Sequence, residues 1–392
     1  NINLIKTGLG GQLAGSFKVV TKKDFSLQNF EFLSDDSILK FQKIDSRKSL
    51  KTSLSGLFSW DKKKNLLEFY DIILSKQIAV SGEINLITKK GFSNFSIKKI
   101  SVKETKNYLN EIFNYSRFPL KIKFDKIANQ FRGGNLKNLN INSKFSLVEE
   151  FIIEEINGSS NFSNTRFEYN DKTFKKLVST ISGNFDFIIN PQKSNDSLFN
   201  VNLSAADGIL FVNNNFQYKF SKAKFRGKFY NNEFLISKAD FYKKSDLECS
   251  LYNVRIAKDT VDIESARFMK EKKVQYIFNN TNINSKYITK SNLKIKNSED
   301  LSRYIKSKFN IELIGNSDLD IFLSGDLKNL NFNLKLNSNL KNSYVKIDYL
   351  DLIKNKNIKS FIKSEISIID GEIILFKNTH LSFDNKTYKI GL

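Results

Sequence analysis

Histidine occurs once in this 392-residue chain, as His380 in "KNTHLSF", and cysteine occurs once, as Cys249. A Ser-His-Asp or Cys-His relay would have to run through His380, and neither a nucleophile elbow nor a cysteine accompanies it. Metal sites built from His and Cys are excluded by counting. The tract "VEEFIIEEI" gathers Glu149, Glu150, Glu154 and Glu155, carboxylates that would suit a hard cation. No Asp-rich calcium loop goes with them, and a solvated strand end is the expectation. Glycoside hydrolysis needs only two carboxylates from distant strands, but sugar sites usually want Trp platforms and Trp60 is alone. There is no GxxxxGK[ST], and no GxGxxG leading into a helix. "FRGGNL" (Phe131–Leu136) carries a glycine pair without the rest of a phosphate loop and is read as a turn. No catalytic residue, metal or cofactor is assigned, and the chain reads as a non-enzyme.

The totals narrow the partners. The chain is 40% hydrophobic and 27% charged, enough apolar material to fold. It has 36 Phe and 14 Tyr against one Trp, one Met and two Pro, and its net charge is +22. A bias towards Phe, Ile, Asn and Lys fits an AT-rich coding sequence, which discounts the charge as a functional signal. Only eight of the 63 basic residues are Arg, and they are scattered. Nucleic-acid binders more often show a basic helix or an Arg-and-aromatic cluster, so no nucleic-acid partner is expected. Solvated Lys on outer strand faces is the plain reading, and attraction to phosphate surfaces such as lipid headgroups the functional one. The lone cysteine leaves the redox compartment undecided. Apolar runs such as "ILFV" (Ile209–Val212) and "IILF" (Ile373–Phe376) fall far short of the about 20 residues of a membrane-spanning helix. A chain that opens on Asn1 reads as a fragment or a processed product, with any signal or anchor outside it.

The elements that would position any site are strands. In "NLNFNLKLNSNL" (Asn329–Leu340), Leu330, Phe332, Leu334 and Leu336 share one parity and Asn331, Asn333, Lys335 and Asn337 the other. "FDFII" puts Phe185, Phe187 and Ile189 on one face. "FQYKFSKAKFRGKF" carries Phe216, Tyr218 and Phe220, then changes parity to Ala223, Phe225 and Phe229. "FSIKKISV" slips likewise between Ile97 and Ile100, and such slips predict bulges or tight turns. Turn signals at residues 88–94, 213–216, 230–234 and 369–373 separate the runs and imply antiparallel hairpins. Glycines recur in "SLSGLFSW" (Gly56), "AVSGEINL" (Gly82), "TISGNFDF" (Gly183) and "FLSGDLKN" (Gly325), with looser copies at Gly15, Gly158 and Gly227. The intervals of 26 residues from Gly56 to Gly82 and 25 from Gly158 to Gly183 suit two strands plus turns, a repeat in which each glycine would let its strand bend.

Two segments depart from this rhythm. "KETKNYLNEIFNYSRF" (Lys103–Phe118) and "SEDLSRYIKSKF" (Ser298–Phe309) have helical spacing, and Ser298 is a plausible N-cap. The expected organisation is a β-repeat region over 1–102, a short amphipathic helix and linker over 103–120, a second β-repeat region over 121–297, a short helix over 298–309 and a C-terminal β region over 310–392. Together they read as one continuous elongated domain.

A sheet with one apolar face must cover it with a second layer, by closure or with a ligand. Two helices of roughly a dozen residues cannot cover so many strands. A sandwich, an outer-membrane barrel and a groove around acyl chains all use the same alternation, which does not separate them. The tract Phe151–Phe187, "FIIEEINGSSNFSNTRFEYNDKTFKKLVSTISGNFDF", resembles a pattern of the AsmA-like family, the YhdP and TamB relatives. It matches at Gly158, Phe162, Phe167, Tyr169, Leu177, Ile181, Gly183, Phe185 and Phe187. Where members often carry Pro in the intervening turn, this chain has Thr173-Phe174. The tail "LSGDLKNLNFNLKLNSNLKNSYVKIDYLDLIKNK" (Leu323–Lys356) is similar to the family's ending.

The resemblance implies a mainly β fold: a meandering antiparallel sheet curled into a long groove, a repeat-like β-taco with two short helices. It implies a periplasmic protein held at the inner membrane of Gram-negative bacteria by an anchor outside this chain. The partners would be phospholipid acyl chains and possible envelope proteins, and the activity lipid transport towards the outer membrane. Under that reading Phe185, Phe187, Ile189, Phe216, Tyr218, Phe220, Leu330, Phe332, Leu334 and Leu336 line the groove. The alternative is a structural or adhesive β-sandwich or solenoid without lipid cargo.

Overall fold

Alternating runs become strands almost everywhere. The computed structural model describes residues 9–12, 16–41, 49–74, 78–105, 131–148, 152–169, 176–190, 197–211, 217–231, 233–257, 260–284, 286, 288–296, 302–303, 306–307, 310–315, 319–383 and 386–390. The chain is mainly β and its described strand pairs are antiparallel, as the short connections require. It divides into two compact units. The first comprises Asn1–Tyr169, Val178–Leu203 and Phe229–Asn231, and the second Asn170–Leu177, Ser204–Lys228 and Asn232–Leu392.

The first unit contains β1 (Leu9–Gln12), β2 (Ser16–Thr21), β3 (Leu27–Phe41), β4 (Ser49–Asp61), β5 (Leu66–Leu74), β6 (Ile78–Asn85), β7 (Lys90–Ser101), β8 (Asn135–Ser146) and β9 (Ile152–Tyr169). β1 and β2 share one edge of β3, and from β3 to β9 each strand pairs with the next in sequence. Outward-facing Asn side chains run across this sheet as an amide ladder. Asn94 Nδ2 donates to Asn142 Oδ1 (2.6 Å), and Asn142 Nδ2 donates to Asn157 Oδ1 (3.0 Å). Three more strands, β10 (Lys176–Ile189), β11 (Leu198–Phe211) and β12 (Gln217–Tyr230), contribute stretches to both units.

The second unit continues with β13 (Glu233–Lys243), β14 (Asp246–Ile256), β15 (Thr260–Lys270), β16 (Lys273–Asn284) and β17 (Ile288–Ile295), paired in series. Then the order changes. β17 pairs with β19 (Leu319–Asp326), β19 with β20 (Asn331–Asn339), β20 with β23 (Ser360–Ile369), and the series ends in β24 (Glu372–Phe383) and β25 (Lys386–Ile390). The skipped strands β18 (Ile311–Gly315), β21 (Ser343–Ile347) and β22 (Leu352–Lys354) pair with one another as a small separate sheet. Leu313, Val345, Ile347 and Leu352 from that sheet pack with Ile321, Leu334, Leu336 and Ile366 in one buried cluster. Two excursions from the meander thus supply a second layer over its apolar face.

Seven parity slips share a cause. Asp71 in β5, Asn138 in β8, Asn164 in β9, Asp207 in β11, Asn253 in β14, Asn280 in β16 and Asn378 in β24 sit mid-strand with φ between +48° and +52°. Asn and Asp tolerate this left-handed conformation better than other residues with a side chain. Each is exposed, and the residue after it faces the interior, buried in all but Ile72. The ladders of β8, β16 and β24 slip register there, as expected of β-bulges. In two bulges the buried Thr bonds a Ser on the facing strand: Thr281 with Ser291 and Thr379 with Ser364, each at 2.7 Å. The slips read in "FSIKKISV" and "FQYKFSKAKFRGKF" lie inside the unbroken strands β7 and β12, so neither is a tight turn.

Among the repeated glycines, Gly82 and Gly158 provide space. A Cβ on Gly158 would stand 2.7 Å from the Phe187 ring and 2.5 Å from the Asn140 carbonyl oxygen. One on Gly82 would stand 2.6 Å from the Phe69 ring and closer still to the Phe92 carbonyl. Each lets an aromatic ring lie over bare backbone, a cross-strand arrangement known to support glycine in sheets. Gly56 lies where the β4–β5 register shifts, and a Cβ there would stand 2.8 Å from the Ile72 side chain.

Of the two expected helices, Val102–Thr105 forms one turn. Ser101 and Glu104 cap it reciprocally: Ser101 N donates to Glu104 Oε2 and Glu104 N to Ser101 Oγ, both at 3.1 Å. Ser302, Arg303, Lys306 and Ser307 are helical. The rest of 103–118 and of 298–309 lies outside the described residues.

Candidate functional site

Phe at every second position of neighbouring strands must stack on one side of a sheet, and in the first unit it does so in a row. Phe167, Phe131, Phe162, Phe185, Phe187, Phe199 and Phe229 follow one another with ring centroids 5.3–6.4 Å apart. These are stacked, tilted and edge-on contacts of the kind aromatic quadrupoles favour. Phe162 is buried, while Phe185, Phe187, Phe199 and Phe229 keep part of their surface open to solvent. Ile189 is buried beside Ile156, with Phe187 and Phe199 packed against the pair. A shorter row, Phe32, Phe58 and Phe69, crosses β3, β4 and β5 at 5.5 and 6.4 Å.

In the second unit, Tyr218, Phe220 and Phe225 meet Phe241 edge-on at 5.9, 5.6 and 5.5 Å. Phe220 is buried over Gly208, and Tyr218 is half-buried with its hydroxyl donating to Glu248 Oε2 at 3.1 Å. Burial, and then the Glu248 charge, raise the Tyr218 pKa well beyond the ordinary phenol value. Cys249, opposite Phe241, is buried, and desolvation followed by the Asp240 and Glu248 charges pushes its thiol up to about 12. It is a protonated, inert thiol at neutral pH.

The remaining candidates are placed differently from one another. Leu334 and Leu336 are buried under Val345 and Ile347 of the small sheet, and Phe332 packs at the edge of that cluster. Leu330 leaves the strand altogether: it is a turn residue with φ +54°, and its carbonyl accepts the Gly371 N–H at 3.1 Å. The alternation in "NLNFNLKLNSNL" therefore begins at Phe332, because the β19–β20 turn runs to Leu330. Phe216 lies outside the described residues. Of the seven rings in the row, sequence reading had only Phe185 and Phe187 as lining: it missed Phe162, Phe167 and Phe229 in that role, and it did not single out Phe131 and Phe199 at all. The alternation of Phe199 with Val201 and Leu203 in β11 carried the signal for the second, while Phe131 was hidden in a tract read only as a turn.

No family model, curated protein or solved structure matches this chain.

What remains is chemistry read from geometry. Half-open aromatic rows offer dispersion contacts and apolar area but no proton donor, nucleophile or fixed charge. Among the described residues no group of three His, Cys, Asp or Glu side chains is arranged to hold a metal. Nor, among the same residues, is any helix long and apolar enough to cross a membrane, which says nothing about strands.

Proposed function

We propose that this chain is a non-enzymatic phospholipid-binding scaffold of the cell envelope, related to the AsmA-like proteins, whose apolar β face guides acyl chains between inner and outer membrane. It would work in the periplasm, held at the inner membrane by an anchor beyond this chain and cooperating with other envelope proteins. The observation that carries the reading is the row of seven Phe rings in the first unit, several of them partly open. Each methylene of an acyl chain that such a surface fully buries gains roughly 0.8 kcal/mol. The gain hardly changes from one ring to the next, so a chain can slide without a deep well to hold it. Headgroups stay in water, and no residue transfers a proton or forms a bond.

The test is native mass spectrometry and lipid extraction of the chain purified without detergent. Wild type should carry phospholipid, and Phe187→Asn with Phe199→Asn should carry much less while keeping its β-sheet circular dichroism. Leu334 is unsuited to this test because it is sealed in the C-terminal core. A folded, lipid-free wild type would sink the reading. The second reading, a structural or adhesive β-sandwich, would then take over. It is favoured by one observation of its own: the small sheet of β18, β21 and β22 covers the apolar face by protein alone.

A further inference from the structure

The turns along one side of the first unit are joined by backbone hydrogen bonds into a continuous rim. Lys62 N donates to Ser26 O (2.9 Å), Leu86 N to Asn65 O (2.8 Å) and Leu147 N to Lys89 O (2.7 Å). The rim thus comprises residues 22–26, 61–65 and 85–90, with 147–148 beside them. Three side chains on it, Ile87 (71% exposed), Phe25 (61%) and Val148 (56%), are the most exposed large apolar groups among the described residues. Nothing in the fold asks for them. Phe25 also holds φ +54°, a left-handed conformation that a bulky side chain adopts only under strain.

Around these tips stand Lys22, Lys23, Lys62, Lys63, Lys64, Lys89 and Lys90, all exposed. The acids of the same turns serve the backbone. Asp24 Oδ1 accepts from Ser26 N (3.1 Å) and Ser26 Oγ (2.6 Å), which holds the carboxyl below its ordinary pKa. Asp61 Oδ1 accepts from Lys63 N (3.0 Å) and Lys64 N (3.1 Å). The ion pairs Lys63–Asp24 (3.6 Å), Lys64–Asp61 (3.8 Å) and Lys90–Glu154 (3.5 Å) are open to solvent and weak. Glu149 and Glu150, which follow Val148, lie outside the described residues.

We infer that this rim docks on an anionic lipid surface, with Phe25, Ile87 and Val148 entering the headgroup layer and the lysines meeting phosphate. Apolar tips among ammonium groups are the arrangement by which proteins lie on membranes. Nucleic acid is the poorer fit, since these turns contain no Arg fork and two of the three tips are aliphatic. The inference stands on the rim alone and does not require the aromatic row to carry lipid.

Co-flotation of the full chain with phosphatidylcholine vesicles containing phosphatidylglycerol, against pure phosphatidylcholine, tests it. Binding is expected to the anionic vesicles and to fall with added salt. Lys62→Gln, Lys63→Gln and Lys64→Gln together should weaken it roughly a hundredfold. Phe25→Ser and Ile87→Ser should each weaken it roughly tenfold. Lys272→Gln and Lys328→Gln on turns of the second unit, with Lys273→Gln at the start of β16, should change nothing. Absent vesicle binding, equal loss in that control, or a rim that instead retains duplex DNA would each overturn the inference. Co-purified phospholipid should be unchanged in the rim variants, so failure here and failure of the lipid-carrying reading are seen separately.

Discussion

Lys354 sits fully buried in β22, and its ammonium group donates to three carbonyl oxygens: those of Leu340, Lys341 (3.2 Å) and Ser343. Desolvation holds its pKa below the ordinary lysine value, so the site tolerates the charge through hydrogen bonds. Those carbonyls belong to the turn that sends the chain from β20 into the small sheet, and the lysine fixes that turn. Lys354→Met keeps the stem and removes every ammonium donor, so the three carbonyls lose their charged partner, while those of Leu340 and Lys341 still accept from Ser343 N (3.0 Å) and Asn357 N (2.8 Å). It should cost about 3 kcal/mol, read as a lower urea midpoint with an unchanged slope. An unchanged midpoint would mean that water replaces the ammonium and that the turn stands without it. Nothing in "DLIKNK" announces this role. In so lysine-rich a chain, one buried Lys looks like its solvated neighbours until the turn that encloses it is known.

Among elements, the bulged strands are the device that lets a period-two pattern change face without breaking. Asn280 carries one such bulge and places Thr281 against Ser291 in β17. Asn280→Gly should leave stability within a few tenths of a kcal/mol, since glycine takes the left-handed conformation freely. Asn280→Val should lose about 1–2 kcal/mol, because a β-branched side chain is poorly tolerated there. Equal thermal midpoints for the two variants would show that the left-handed residue is not what sets the bulge. Strand existence was legible in the sequence, because alternation at Phe185–Ile189 or Phe332–Leu336 has no other physical meaning. The slips at Lys98-Lys99 and Ser221-Lys222 were legible as changes of face within a strand, with Ile97 and Ile100, and Phe220 and Ala223, buried on either side. The Asn and Asp residues that make most bulges were not, since outward Asn is everywhere in this chain and only φ sets these apart. The rings over Gly82 and Gly158 are relations between strands, visible once register is known. β18, β21 and β22 are each too short for a pattern to show, so the cover over Leu334 and Leu336 could not be foreseen.

For the whole molecule, the excess of 63 basic over 41 acidic residues leaves a net charge of +22. Many described ion pairs are long or exposed, as at Lys64–Asp61 and Arg132–Glu168, and add little; the bidentate Arg255–Glu233 pair and Lys238–Asp240 at 2.8 Å are closer. Self-repulsion should therefore outweigh attraction at low ionic strength, and added salt should raise the melting temperature. A melting temperature that falls with salt would mean that ion pairs hold the fold. The aromatic rows and the basic rim share one debt to the sequence: alternation and turn residues gave their parts, while assembly depended on registers that no single segment encodes. The neighbour-to-neighbour pairing from β3 to β9 and again from β13 to β17 has a genetic consequence. A duplicated hairpin would find a matching edge on either side and need no new core. The length of such a sheet can be set by the number of copies inherited, and a lineage could extend or shorten its reach two strands at a time.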